Sequence, residues 1–165
     1  MPADLSIEVV DPLHADALLL LAQAAQDARA LYPELFPDDA PPPTNDPAVP
    51  GSVYLVAYGG GVPVGCGALR PLQPGVAEVR RMYVSHDARR RGVAASILHA
   101  LEQHALALGY SVLRLETGRR QAPAIALYER CGFRHIAPFG AYAGDPMSVC
   151  FEKRLARQRA YQRIA

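Results

Sequence analysis

The stretch Glu78-Val79-Arg80-Arg81-Met82-Tyr83-Val84-Ser85-His86-Asp87-Ala88-Arg89-Arg90-Arg91-Gly92-Val93-Ala94 decides how this chain is organised. Val76 to Val84 reads as a strand, and Ser85 to Arg91 as a polar, basic loop. From Val93 to Leu108 the apolar residues Val93, Ile97, Leu98, Leu101, Leu106 and Leu108 mark a helix that Gly109 ends as its C-cap. A strand therefore runs through a basic loop into the first turn of a long helix. The first N–H groups of a helix have no partner within it and lie at the positive end of its dipole, so they suit a phosphate. Small residues at Gly92 and Ala94 let such a ligand approach the backbone. Arg89, Arg90 and Arg91 can add charge-assisted contacts. The segment is a candidate pyrophosphate site, although the same residues also suit a solvated basic loop with Gly92 as the N-cap. The P-loop and the GxGxxG dinucleotide fingerprint are both absent.

Outward from this segment, Ser111–Glu116 reads as the next strand. A strand-helix-strand unit over residues 76–116 should pair its two strands in parallel through a right-handed crossover. Upstream, Leu5 to Val10 alternates as a short strand, and Asp11-Pro12 has the residue types that open a helix running to Leu31. Residues 32–50 hold seven prolines and four acids and read as a long irregular loop. Ser52–Tyr58 and Val62–Arg70 read as strands joined by a turn at Gly59-Gly60-Gly61. Gly65 and Gly67 weaken the second strand or mark the close approach of another element. Downstream come a short helix, Ala122–Arg130, and two last strands, Phe133–Ala137 and Met147–Lys153. The expected order is β-α-β-β-β-α-β-α-β-β. It describes a single mixed α/β domain over residues 1–165, with its core at about 5–155 and a basic tail at 156–165.

Composition narrows the functional classes. The chain has 165 residues, half of them hydrophobic and a fifth charged, which suits one globular domain. No apolar run approaches the roughly 18 residues of a membrane span, and no secretory signal is visible, so no membrane partner is expected. Cys66, Cys131 and Cys150 are odd in number and far apart, which argues against a disulfide framework and for a cytoplasmic setting. His99 and His104 lie five apart rather than four, so no metal site is expected. The net charge of +1 conceals an asymmetry. Residues 1–78 carry ten acids against two arginines, whereas residues 79–165 carry fifteen basic side chains against six acids. The basic half suits a docked polyanion. A nucleic-acid partner is not expected, because no aromatic side chains interleave with the arginines as a stacking platform. The basic tail reads as a frayed charged end, or as a helix packing on the partner of a homodimer.

Two motifs carry a family resemblance. Arg89-Arg90-Arg91-Gly92-Val93-Ala94 resembles the [Q/R]-x-x-G-x-[G/A] signature of the GNAT superfamily of acetyl-CoA-dependent N-acetyltransferases, and Met82-Tyr83-Val84 resembles the strand preceding it. Ala124-Ile125-Ala126-Leu127-Tyr128-Glu129-Arg130-Cys131-Gly132-Phe133 is similar to the family's second motif, N-x-x-A-x-x-L-Y-x-x-x-G-F, with Gln121 where asparagine is usual. The element order is also similar. The resemblance implies a mixed, mostly antiparallel sheet with a central parallel strand pair and flanking helices. It also implies acetyl-CoA as co-substrate and a primary amine of a small-molecule or amino-acid-like compound as acceptor. A non-catalytic acetyl-CoA-binding regulatory module is the alternative.

Site roles follow from the same resemblance. The pantetheine arm would lie along Met82, Tyr83 and Val84, held by main-chain groups, with Gln121 reaching it from the far side. The pyrophosphate would sit on residues 89–94, with Ser96 adding a hydroxyl. Tyr128 would protonate the leaving thiolate, or simply pack its helix on the sheet. Glu78 matches by position a glutamate that serves as general base, and otherwise reads as a solvated acid at a strand start. Strand alternation puts Glu78, Arg80, Met82 and Val84 on one face. Glu116 is the second candidate base, or else a cap or ion-pair residue. Tyr32 and its neighbouring loop are expected to form one wall of the acceptor site, and Phe139 and Tyr142 the other. Arg80 could bind an acceptor carboxylate or a surface acid, whereas acids near the mouth would favour a cation.

Overall fold

The computed structural model describes residues 4–156. Its strands are β1 (Leu5–Val9), β2 (Val53–Gly59), β3 (Val62–Gln73), β4 (Val76–Val84), β5 (Val112–Gly118), β6 (Arg134–Ile136) and β7 (Ser148–Arg154). They form one sheet in the order β1-β2-β3-β4-β5-β7-β6. Only β4 and β5 pair in parallel, joined through the helix α2 (Val93–Ala107) as the crossover requires. The other two helices are α1 (Ala15–Leu31) and α3 (Ala122–Arg130). The order of elements is the expected one. The start of α1 is not. His14 is its N-cap and accepts from Asp16 N at 3.0 Å, while Asp11 accepts from Leu13 N at 2.8 Å in a tight turn before the helix. Of the basic tail, residues 157–165 lie outside the described part.

Alternation along the strands divides the sheet between two helical layers. Leu55, Leu69, Val79, Leu113 and Leu115 bury against Val93, Ile97, Leu98 and Leu101 of α2 and form the main core. On the opposite face Tyr54, Val56 and Cys66 meet Ala17 and Leu20 of α1. Gly67 belongs to the α2 face. A Cβ there would lie 2.7 Å from Met82 Sδ and 2.8 Å from Ile97 Cγ2, so close approach of α2 is the reason for the glycine. Gly67→Val should therefore destabilise the domain by about 1–3 kcal/mol through overpacking. Urea denaturation would show this as a lower midpoint at unchanged slope. An unaltered midpoint would mean that the helix yields freely.

The feature that positions the site is a split in the centre of the sheet. The strands β4 and β5 pair only from Val76 to Val79 and from Val112 to Leu115. Beyond that point β4 stays with β3 and β5 stays with β7. Between the pairs Ala68↔Arg80 and Cys66↔Tyr83, three steps of β4 oppose two of β3, which is a bulge. Arg81 takes φ 60° there, a left-handed conformation that is uncommon for a side-chain-bearing residue. Its carbonyl accepts the Cys66 thiol at 3.1 Å, and its guanidinium donates to Asn45 Oδ1 at 3.0 Å and Thr44 O at 3.2 Å. The bulge corrects the simple alternation. Glu78 and Arg80 stay on the α1 side, but Met82 and Val84 turn to the α2 face and pack on the main core, and Tyr83 packs beneath α1.

Candidate active site

Past Val79 and Leu115, each strand of the parting pair has an edge with no partner strand across the gap. Such an edge accepts an extended ligand as it would another strand. The edge on β4 comes from residues 80–84, including the main chain of Met82, Tyr83 and Val84. A cavity of about 410 Å³ fills the gap, lined by Ala24 and Ala28 of α1, Met82 and Tyr83, Glu116 and Gly118 of β5, and Gln121 and Tyr128 of α3. The α1 helix roofs it and is fastened on two sides. Arg89 donates to Asp27 Oδ2 at 2.7 Å and Val84 O at 2.9 Å, and Ser85 Oγ donates to Gln23 at 2.8 Å. At the other end the Tyr32 hydroxyl accepts from Arg120 N at 3.0 Å, and the Arg120 guanidinium lies 5.0 Å over the Tyr32 ring. Tyr32 is buried in this contact and packs against Gly118; it does not line the cavity. Arg89 is likewise turned to the roof helix.

At the mouth of the gap the backbone doubles back before α2. Arg90 has φ 63° and Gly92 φ 77°, and only at the second position is the conformation undemanding. Non-glycine residues held in such conformations cluster at ligand clamps. The first helical bond is Ser96 N to Gly92 O at 3.0 Å. Among the described residues, the N–H groups of Arg91, Gly92, Val93 and Ala94 meet no acceptor, and no side chain caps them. These orphan donors, with the exposed side chains of Arg90 and Arg91, fit a pyrophosphate. Ser96 lies half-buried beside them in the first turn. Gln121 is the N-cap residue of α3; its side chain makes no capping bond there, and it faces the cavity.

Of the acid-base groups, Glu78, Tyr142 and Glu116 lie on the α1 side of the parting strands, whereas Tyr128 belongs to the main core on the α2 side. Glu78 is 1% exposed, and both its oxygens are taken. Arg70 donates to Oε1 from Nε at 2.8 Å, and Tyr142 donates to Oε2 at 2.8 Å. Burial, then that carboxylate, push the Tyr142 phenol up to about 12. Phe139 stands edge-on to Tyr142 at 5.3 Å and lies 5.8 Å from the Arg114 guanidinium. Glu116 lies half-buried on β5 and accepts from Ser148 Oγ at 3.1 Å. Burial raises its pKa, with Asp145 and Glu78 adding to the rise and Ser148 and Arg80 opposing it. Tyr128 is 5% exposed, with its ring 5.8 Å from those of Phe133 and Phe151. Burial holds its phenol far above the ordinary range, so it remains protonated.

A second cavity, of about 390 Å³, adjoins the first and shares Tyr54, Arg80 and Arg81 with it. Sequence reasoning missed Tyr54, Arg70, Arg81 and Asn45 here. Tyr54 and Arg70 had a usable signal, because strand alternation places both on the face that carries Arg80. Asn45 had none, since its place depends on where a proline-rich loop crosses the sheet.

A helix N-terminus open to phosphate, a gap between parting strands, and a carboxylate and a phenol lining one cavity are thus brought together at the split of the sheet. The chain belongs to the Acetyltransferase (GNAT) family, whose sequence model matches residues 21–133. It is 44% identical over 109 residues to an IAA acetyltransferase of Azospirillum brasilense, covering 66% of this chain and 71% of that protein. A Klebsiella pneumoniae structure described as an acyl-CoA N-acyltransferase superposes with TM-score 0.76 at 33% identity, covering 92% of this chain and 98% of the other. An Elizabethkingia anophelis family member with acetyl-CoA bound shares the fold at TM-score 0.64 and 16% identity, over 93% and 99% of the two chains.

Proposed function

We propose that the protein transfers the acetyl group of acetyl-CoA to a primary amine of a small molecule by direct attack. The observation that carries this reading is the pairing of Glu116 and Tyr128 across one cavity, beside the unpaired edge of β4. Acetyl-CoA supplies an acetyl group activated as a thioester. The orphan amides of residues 91–94 bind its pyrophosphate, and the free edge of Met82 and Val84 binds the pantetheine amides. A backbone N–H of β4 donates to the thioester oxygen and to the oxyanion that forms from it.

An amine must be neutral to attack, and a lysine-like amine has pKa of about 10.4. Glu116 is proposed as the base that takes the proton lost by nitrogen as the C–N bond forms, directly or through one water. Its raised pKa brings it closer to that task than an ordinary glutamate. Glu78 is less suited, because Arg70 and Tyr142 occupy its oxygens. It orients Tyr142 instead. Tyr128 donates to sulfur as the C–S bond breaks, so the proton leaves with CoA thiol and the proton on Glu116 replaces it. Burial that raises the phenol keeps its proton in place across the neutral range until the departing sulfur takes it.

The test is thiol release from acetyl-CoA by purified protein against a panel of primary amines, with acetyl-CoA binding followed by calorimetry. Binding together with amine-dependent thiol release is expected. Binding with no release by any amine would replace this reading with that of an acetyl-CoA-binding regulatory module. Absence of binding would remove both.

A further inference from the structure

The cavity beside the acyl gap has a polar design that the transfer chemistry does not use. Its floor is a row across three strands: Tyr54 of β2 pairs with Ala68 of β3, and Ala68 pairs with Arg80 of β4. Neighbouring strands lie about 4.8 Å apart, so Tyr54 and Arg80 stand about 10 Å apart at their Cα atoms with a methyl group between them. Two long polar side chains thus flank a short one, and the space above Ala68 is the cavity.

Neither flanking group makes a well-formed hydrogen bond, although Cys66 and Asn45 lie beside the Tyr54 hydroxyl. Tyr54 is 5% exposed, and its hydroxyl is buried with no hydrogen-bond partner among the described residues. Buried hydroxyls are rarely left so unless a ligand or water meets them. Arg80 is half-buried, and among the described residues its guanidinium has no hydrogen bond or ion pair. Its neighbours differ. Arg70 is bound to Glu78 at 2.8 Å, and Arg81 is tied to Asn45 and Thr44 with the Asp46 charge nearby. Of the three arginines lining the cavity, Arg70 is thus answered by an acid and Arg81 by an amide and a carbonyl oxygen, and Arg80 is left over. The rest of the lining is mostly apolar, from Pro12, Pro47, Val49, Val53 and Leu69, with Ser52 and Asp46 as further polar members beside Asn45.

We infer that the acceptor is a primary amine that also carries one carboxylate, an amino acid with an apolar side chain, whose carboxylate is held by Arg80 and the Tyr54 hydroxyl. This rests on the transferase reading above. A planar guanidinium matches a carboxylate with two parallel hydrogen bonds, and the phenol supplies a third donor. Glu116 lies close enough to feel the Arg80 charge, so an amine near Glu116 and a carboxylate on Arg80 fit the ends of one small molecule. Tyr142 takes no part, because its proton is committed to Glu78.

The experiment compares matched acceptors: leucine, methionine and phenylalanine, each against its α-amide and its decarboxylated amine, with thiol release measured for each. The free acids should exceed the amides in kcat/KM by about 100-fold, mostly through KM. Amidation lowers the pKa of the amine and supplies more neutral nucleophile, so it works against this expected order. Arg80→Ala should bring the acid-to-amide ratio close to one. Arg80→Lys should keep part of it, since an ammonium has the charge without the fork. Tyr54→Phe, which keeps the ring, should lower the ratio about tenfold. Acetyl-CoA binding by each variant reports that it is folded. Equal kcat/KM for acids and amides in the unaltered protein, or an undiminished ratio in Arg80→Ala, would overturn the inference while leaving the transferase reading intact. No thiol release by any acid, amide or amine would overturn both.

Discussion

Glu116→Gln should lower kcat/KM by about 10²–10⁴-fold at neutral pH, the range typical of losing a general base. The loss should depend on pH in a defined direction. Burial holds the Glu116 carboxyl above the usual carboxylate range, so the carboxylate form fills in at a higher pH than for an ordinary glutamate. Activity of the unaltered enzyme should therefore rise with pH through that raised value and rise again as the acceptor amine loses its own proton. The glutamine variant has only the second rise. Its deficit should shrink once the pH exceeds the amine's pKa, where solvent has already done the work of the base. Full pH–rate profiles of both proteins check this. Two profiles that run parallel over the whole range would remove Glu116 from the chemistry.

Tyr128→Phe should reduce turnover by about 10²–10³-fold, with acetyl-CoA affinity little changed. The substitution keeps the ring against Phe133 and Phe151 and removes only the hydroxyl from the cavity wall. Because the phenol is protonated throughout the working pH range, its loss should scale the rate by one factor at every pH, unlike the loss of Glu116. Acyl donors with a better leaving thiol should feel it less. Near-normal turnover in the variant, with single-turnover kinetics showing that chemistry is slow, would leave Tyr128 a packing residue only.

The order of strands and helices could be read from the chain because each signal is local. The apolar spacing of residues 93–108 and the glycine turn at residues 59–61 are consequences of residues near one another in sequence. The basic loop before α2 was legible for the same reason, since a helix start and its arginines are contiguous. The bulge at Arg81 was not. Nothing in residues 76–84 announces it; it is held by Cys66, Thr44 and Asn45, which arrive from two other parts of the chain. That one extra residue turned Met82 and Val84 to the opposite face from Glu78. The engagement of Glu78 by Arg70 and Tyr142, of Arg89 by Asp27 and of Tyr32 by Arg120 depends equally on distant partners. Charged side chains in a sequence list look available. Whether they are depends on what the fold brings beside them: alternation already put Arg80 on the face of Glu78, but it did not show that Arg70, Arg81 and Arg89 would find partners and Arg80 would not.

The fastening of α1 along its C-terminal half bears on traffic through the molecule. A roof held at Gln23, Asp27 and Tyr32 is poorly placed to lift, so on the reading proposed above neither reactant would enter from above. On that reading two doors would remain: the mouth beside Gly92 for the nucleotide-bearing donor, and the cavity over Ala68 for the acceptor. With separate entrances both compounds can be resident at once, and each product can leave by the door its precursor used without waiting for the other.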